Sequence, residues 1–318
     1  MDARQIVLAP EQTPGMTATG FAVCAARACF RAVTAISPNA AAKLAIRLWF
    51  TPPRPKISAA SKAFLATGEK IDVTLRGRPV AAWSWGSGPV IFLMHGWGGY
   101  AAQMQSFVEP LVRAGFRAVA FDGPSHGASG ASRFGARQST FFEFRDALFE
   151  IERVVGPAHG VIAHSGGCTA IGTAIRAGWN VPAAVFISPM ASPLAYQRVF
   201  QQALGLTDDV LRRFHDLVEE KLSFRWVDLE MPRIAKELAT PPVLVIHDRE
   251  DRETSWREGA EIAEAWPASE LMTTTGLGHR RLLRDAAVVE AAVKFACSAA
   301  AAWPPHSKAV QRLHLGEA

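Results

Sequence analysis

The run Gly160-Val161-Ile162-Ala163-His164-Ser165-Gly166-Gly167-Cys168 carries an apolar stretch straight into a serine flanked by small residues. A helix-compatible stretch with Cys168, Ala170, Gly172 and Ala174 follows at once. The pattern predicts a sharp strand-to-helix turn with Ser165 at its apex, where the positions two before and two after must be small to avoid collision. A hydroxyl placed there stands above a helix N-terminus, whose partial positive charge favours a developing oxyanion. The chemistry of that arrangement is nucleophilic attack on a carbonyl. Ala163 adds one methyl at the first small position, and the competing reading is a serine that simply caps a buried helix.

Three further groups complete the constellation. The stretch Val90–Met94 runs into His95-Gly96-Trp97-Gly98-Gly99, where the glycines let the chain turn so that the N–H of Trp97 joins that of Gly166 as an oxyanion donor. The plainer alternative is a glycine-rich loop that binds nothing. Neither phosphate-loop spacing, Gly-x-x-x-x-Gly-Lys or Gly-x-Gly-x-x-Gly, occurs there. The stretch Val243–Ile246 runs into His247-Asp248-Arg249-Glu250-Asp251, which offers a carboxylate to orient an imidazole. Asp251 is the candidate, with Asp248 and Glu250 behind it; a solvated loop paired to Arg249 and Arg252 is the other possibility. The base candidate is His279 in Gly276-Leu277-Gly278-His279, which follows Ser165 and the acid loop in the order Ser…Asp…His. His95, His126, His164 and His247 stand at or near strand ends, as core or supporting groups.

Positioning these residues takes a sheet. Eight short apolar or β-branched runs are expected as strands: Ile71–Leu75, Pro79–Trp85, Val90–His95, Arg117–Phe121, Gly160–His164, Ala183–Ser188, Val243–His247 and Glu270–Thr275. Arg76-Gly77-Arg78 suits a hairpin between the first two. The later strands alternate with helical stretches such as Tyr100–Ala114, Thr140–Val155 and Arg280–Ala302, which predicts an α/β fold with a doubly wound, mostly parallel eight-stranded sheet. Between Pro193 and Ala239 no strand is expected. Leu211, Phe214, Val218 and Leu222 mark a helix face there, so residues 194–238 read as a helical cap inserted into a domain spanning 67–302. The apolar side chains of that insertion, among them Phe200, Leu204, Leu206, Leu217, Phe224 and Trp226, predict an apolar pocket above Ser165. Residues 1–66 are expected as an N-terminal helical extension of about two helices, with Phe21, Cys24, Ala28 and Ala32 on its apolar side and Arg27 and Arg31 on its polar side. Residues 303–318 read as a tail.

Composition bounds the rest. The 318 residues are 49% hydrophobic and 20% charged, a globular balance. The net charge of +5 comes from scattered residues without a basic run, which argues against a nucleic-acid partner. The four cysteines are too few for a disulfide framework. Cys24 and Cys29 are expected as small, mostly buried side chains rather than half of a metal site, and the setting as reducing and cytoplasmic. Arg27 and Arg31 interrupt the apolar stretch Gly20–Ser37, so no integral membrane span is expected.

Taken together, these motifs resemble the α/β-hydrolase superfamily. Phe121-Asp122-Gly123-Pro124-Ser125-His126-Gly127-Ala128-Ser129 is similar to that family's Asp-x-Pro-Gly-His-Gly-x-Ser loop, with Ser125 in place of a glycine. His247 to Asp251 is similar to its His-Gly-x-x-Asp, whose last residue is the acid, with Asp248 where the family has glycine. The set His95–Gly99, Ala163–Gly167, His247–Asp251 and Gly276–Arg281 also resembles a bacterial subgroup of serine hydrolases. The resemblance implies fold and machinery without a particular substrate. The expected function is hydrolysis of carboxylic esters or related acyl compounds through an acyl-enzyme, on a small, apolar acyl substrate, with no metal or organic cofactor. The alternative is an α/β-hydrolase fold that binds a ligand without turnover.

Overall fold

All eight expected runs form strands, within a few residues of the expected bounds. They are β1 (Glu69–Leu75), β2 (Arg78–Trp85), β3 (Val90–Met94), β4 (Arg117–Phe121), β5 (Ala158–His164), β6 (Ala184–Ile187), β7 (Val243–Asp248) and β8 (Ser269–Thr274). The computed structural model describes residues 18–302, with side-chain environments for residues 23–298. One sheet holds the strands in the order β1-β2-β4-β3-β5-β6-β7-β8. β1 with β2 and β2 with β4 are antiparallel, and every later pairing is parallel. Arg76 and Gly77 both take positive φ, at 50° and 73°, which gives the β1–β2 hairpin the tight turn that matches strand twist.

Among the described residues twelve α-helices accompany the sheet: α1 (Ala18–Ile36), α2 (Pro38–Trp49), α3 (Ala59–Leu65), α4 (Gln105–Arg113), α5 (Phe141–Val155), α6 (Gly166–Arg176), α7 (Pro193–Leu204), α8 (Asp208–Leu222), α9 (Met231–Glu237), α10 (Trp256–Ala265), α11 (Gly278–Arg281) and α12 (Ala286–Ala302). The inner strands β3, β4, β6 and β7 are largely apolar because both of their faces are covered, whereas β1 alternates buried with exposed residues at the sheet edge. Phe92, Phe121, Val161, Phe186 and Val245 point to one face, under α5 and α6. Ile91, Leu93, Ile162, Val185 and Ile246 point to the other, under α4 and α12. Alternate residues of these inner strands thus serve two cores, as the period of two dictates.

Strand order places the chemistry. The chain leaves β3 for β4 on one side and enters β5 on the other, so β3 and β5 are neighbours at the point where the winding reverses. The loops after their C-terminal ends, 95–99 and the Ser165 turn, flank the crevice that such a switch point opens.

The chain divides into two compact units, Arg47–Leu194 with Ser223–Ala318, which holds the sheet, and Met1–Ile46 with Ala195–Leu222. The insertion expected at 194–238 is helical, through α7, α8 and α9. Within the smaller unit, Val210, Phe214 and Val218 form the buried face of α8 at helical spacing. The Arg27 side chain donates to Ala203 O and Gln202 O, each at 2.9 Å, and so satisfies carbonyls at the C-terminal end of α7.

The face of α1 read as apolar is the exposed one: Cys24, Ala28 and Ala32 face solvent, Phe30 is buried, and Val33 is half-buried. Arg27 and Arg31 are exposed as expected, and the inward side of α1 is marked instead by Phe30 and Val33. Cys24 and Cys29 are therefore exposed rather than buried, whereas Cys168 is buried. Among the described residues the extension forms three helices before residue 66 where about two were expected. The side chain of Phe21 and the expected tail at 303–318 lie outside the described residues. No helix among the described residues is long and apolar enough to cross a membrane.

Candidate active site

Ser165 stands between β5 and α6 with φ 51° and ψ −124°. Its N–H donates to Ile187 O at 2.9 Å, and its carbonyl accepts from Cys168 N–H at 2.9 Å. The hydroxyl makes no capping bond to α6, so the reading of Ser165 as an ordinary helix cap does not hold. Its backbone is strained while its side chain stays available, as a nucleophile requires.

Glycines let neighbouring backbone close in on this turn. A Cβ on Gly96 would come within 2.9 Å of Ser165 Cβ, and a Cβ on Gly167 within 2.6 Å of His95 O. A Cβ on Gly166 would sit 3.3 Å from the backbone nitrogen of Trp97. The two expected oxyanion donors, the N–H groups of Trp97 and Gly166, are thus brought together beside Ser165. The same position on Gly166 lies 2.9 Å from the ring of Phe141, which stands edge-on to Trp97 at 5.4 Å. Phe141 begins α5 and carried no sequence signal beyond being one of two adjacent phenylalanines.

His279 and Asp251 are brought together directly. His279 Nδ1–H donates to Asp251 Oδ2 at 2.8 Å, the tautomer that in a neutral ring puts the free electron pair on Nε2. The other oxygen, Oδ1, accepts the N–H groups of Glu253 at 2.8 Å and Thr254 at 3.0 Å. His247 Nε2 lies 3.1 Å from Thr254 O and 3.4 Å from Asp251 Oδ2. Burial pushes the Asp251 carboxyl up, but the hydrogen bonds from His247, His279 and Thr254 outweigh it and hold the group well below the ordinary carboxylate range. Asp251 stays ionised beside the imidazole.

The two other carboxylates of the loop do different work. Asp248 Oδ2 accepts from Thr274 Oγ1 at 2.7 Å and from Leu277 N–H at 3.0 Å, and its Oδ1 accepts from Glu250 N–H at 3.0 Å. It ties the acid loop to the loop that carries His279 and does not reach the imidazole. Glu250 is exposed.

Ser165 and His279 meet through a neighbour. His164, the residue before Ser165, donates from Nε2 to the carbonyl of His279 at 2.9 Å, with the two rings 4.8 Å apart. No hydrogen bond joins the Ser165 hydroxyl to the His279 ring among the described residues, a looseness common in sites without substrate. His95 and His126 are buried beside the 95–99 loop. Sequence position left open whether these four histidines were core or supporting groups. Each proves to hold backbone or carboxylate at the site.

Burial lowers His95 and His164 from the ordinary 6.5 to about 3, and His126 to about 4. All three are neutral in the fold, whereas in the unfolded chain they take up protons near 6.5. The unfolded state therefore binds more protons between about 4 and 6.5, and stability drains away as pH falls through that window. Asp122, raised by burial to about 6, and Glu143, also raised, oppose the trend. His159 and His215 are lowered by burial as well, so five histidines stand against two carboxyls and set the net direction. The melting temperature is expected to be lower at pH 5 than at pH 7; a Tm that is equal or higher at pH 5 would contradict buried neutral histidines.

Residues 90–292 match the model of the alpha/beta hydrolase family. No curated protein sequence matches the chain. Among solved structures, a thermophilic esterase from Thermogutta terrifontis is similar at 17% identity and a TM-score of 0.55, over 73% of this chain and 98% of its own. A bromoperoxidase from Bacillus anthracis is similar at 16% identity and a TM-score of 0.53, over 71% and 99%. A meta-cleavage product hydrolase from Pseudomonas fluorescens IP01 is similar at 16% identity and a TM-score of 0.53, over 72% and 97%. At such identities the likeness shows the fold, and the three named activities differ. With the family model spanning more than half of the sequence, and with the sheet order and the strained serine turn described above, the chain belongs to the alpha/beta hydrolase family.

Proposed function

We propose that this chain is a serine hydrolase of carboxylic esters or related acyl compounds. The observation that carries the reading is Ser165, held at positive φ on a strand-to-helix turn with its hydroxyl unused by the helix behind it. In the proposed reaction His279 Nε2 takes the Ser165 proton as the hydroxyl oxygen attacks the carbonyl carbon. The N–H groups of Trp97 and Gly166 take up the charge that forms on the carbonyl oxygen. His279 then protonates the leaving group. In the second half a water attacks the acyl carbon and passes its proton to the same imidazole, which returns a proton to the Ser165 oxygen as the acid leaves. Asp251 holds the ring in the required tautomer and stabilises the imidazolium.

The missing Ser165–His279 hydrogen bond favours a second reading, a ligand-binding protein that keeps the fold without turnover. A fluorophosphonate probe separates the two. The wild type is expected to be labelled and to hydrolyse an activated ester, while folded Ser165→Ala is not labelled. Labelling that persists in the folded variant would sink the assignment of the nucleophile.

The carboxylate assignment has its own test. Asp251→Asn removes the charge beside the imidazole, and turnover is expected to fall by about 10⁴. Asp248→Asn disturbs the tie between two loops and is expected to lower Tm more than it lowers turnover. If Asp248→Asn were the crippled enzyme and Asp251→Asn the mild one, the roles would be reversed.

Substrate class follows from what surrounds the proposed oxyanion donors. The half-buried Trp97 and Phe141 present aromatic surface beside Gly166 and support an apolar acyl group. Each methylene that leaves water is worth about 0.8 kcal/mol, about fourfold in kcat/KM. Measured over p-nitrophenyl esters of increasing chain length, kcat/KM is expected to climb and then level. A flat profile, or preference for a charged acyl group, would reject the apolar reading.

A further inference from the structure

His95, just after β3, and His126, in the loop after β4, take no part in the proposed chemistry, yet both rings are buried against the loop that carries Trp97. Their hydrogen bonds are reciprocal. His95 Nδ1–H donates to Gly96 O at 2.7 Å in its own loop, and its Nε2 accepts the N–H of Gly123 in the other loop at 3.0 Å. His126 Nδ1–H donates to Pro124 O at 3.0 Å in its own loop, and its Nε2 accepts the N–H of Gly98 in the first loop at 3.0 Å. Each imidazole steadies the loop it belongs to with one nitrogen and grips the opposite loop with the other. The rings lie 5.4 Å apart. A backbone N–H can be accepted only by an unprotonated nitrogen, so both rings are neutral with the proton on Nδ1.

Trp97 sits between the two gripped points, the carbonyl of Gly96 and the N–H of Gly98. Gly98 has φ 72°, a conformation that glycine leaves and re-enters without steric cost, so the turn bond from Gly99 N–H to Gly96 O, at 2.9 Å, is the backbone's own hold on these peptides and the imidazoles add the rest. We infer that His95 and His126 are positioning residues whose paired hydrogen bonds aim the Trp97 N–H at the oxyanion, an inference that rests on the serine-hydrolase reading. With the acceptor at His126 removed, the buried Gly98 N–H has no partner and the loop relaxes by turning its peptides toward one. The donor at Trp97 then points away, although the substrate's remaining contacts are untouched. Asp122 supports the same pair of loops from the other side, its carboxylate accepting from Ala101 N–H at 2.6 Å and Ala128 N–H at 2.7 Å. Its bonds do not touch Gly96, Trp97 or Gly98.

The test compares His126→Leu with His126→Gln on an activated ester. Leu fills space beside Phe144 and Trp97 but accepts no hydrogen bond, whereas the Gln amide oxygen offers an acceptor near the former Nε2 position. A lost oxyanion donor typically lowers kcat by about 10²–10³, so His126→Leu is expected to lose about 10² in kcat with KM within about threefold. His126→Gln is expected to recover most of that loss. Unchanged kcat in folded His126→Leu, a rise in KM that accounts for the loss, or a Gln variant as slow as Leu would each overturn the positioning role. Nitrogen-15 NMR of the wild-type imidazoles keeps the inference testable if His126→Leu does not fold. Both rings are expected as neutral Nδ1–H tautomers at pH 7, and an Nε2–H or charged ring overturns the clasp. A wild type that neither labels nor turns over ester overturns the hydrolase reading itself, and the positioning role with it. An active wild type whose His126→Leu variant is unimpaired overturns this inference alone.

Discussion

The backbone of Ser165, at φ 51° and ψ −124°, occupies a region that residues with a side chain rarely enter, at a cost of roughly 1–3 kcal/mol. Such a conformation persists only if relaxing it would break more than it relieves. On one side β5 is locked between β3 and β6, and the Ser165 N–H continues that ladder to Ile187 O. On the other side α6 is buried from Gly166 to Ile175, so it cannot slide to ease the turn. The central strand and the buried helix therefore set the position of one hydroxyl, and the neighbouring loops are shaped to fit around it. Glycine at 96 and 167 is a consequence: at each position a single Cβ would collide with the turn or with the backbone after β3.

Around that fixed point, charge is handled by allowing very little of it. His95, His126 and His164 are kept neutral by burial, each with a backbone partner that suits one tautomer. The buried charge at the proposed catalytic pair is that of Asp251, whose two oxygens are satisfied by two backbone N–H groups, the His279 ring and the nearby His247. A carboxylate so supplied remains ionised even in a low-dielectric setting, because hydrogen bonds to the charged form exceed the desolvation penalty. Neutral imidazoles nearby serve the same end, since an adjacent positive ring would compete with His279 for the carboxylate.

Much of this was legible in the sequence because it depends on period and order. Val90–Met94 and Val243–Ile246 are continuous apolar runs, and such runs, alternating with helical patterns, specify a parallel sheet covered on both faces. The Ser…Asp…His order then places Ser165, Asp251 and His279 at the ends of β5, β7 and β8, and the structure puts the last two within 2.8 Å. What sequence could not supply was direction in three dimensions. The inward face of α1 is set by Phe30 and Val33, and Arg27 hydrogen-bonds to carbonyls 175 and 176 residues away, contacts that no local periodicity records. Phe141 has no sequence signature because its relation to Gly166 exists only after α5 and α6 have packed. The histidines at strand ends were visible as residues but not as hydrogen-bonding partners, since tautomer and target are set by loops far away in sequence.

Asp248 shows how a departure from a family pattern can be absorbed without disturbing the pattern's purpose. The acid loop resembles His-Gly-x-x-Asp, and a carboxylate in place of that glycine brings a second negative group to within three residues of Asp251. Left free in the interior it would compete for the His279 ring and carry a heavy desolvation cost. Its geometry removes both difficulties: burial pushes the carboxyl up, but donors from Thr274, Leu277 and Glu250 outweigh it and hold Asp248 below the ordinary range. Two of those donors, Thr274 and Leu277, flank the approach to His279, so the extra carboxylate fastens the end of β8 and the turn after it to the end of β7. Gly276 and Gly278, at φ 84° and 61°, give that turn its conformational freedom, and Asp248 takes the freedom back at Leu277 between them. The imidazole is therefore held from three directions, by Asp251 at its ring, by His164 at its carbonyl and by Asp248 through the preceding residues.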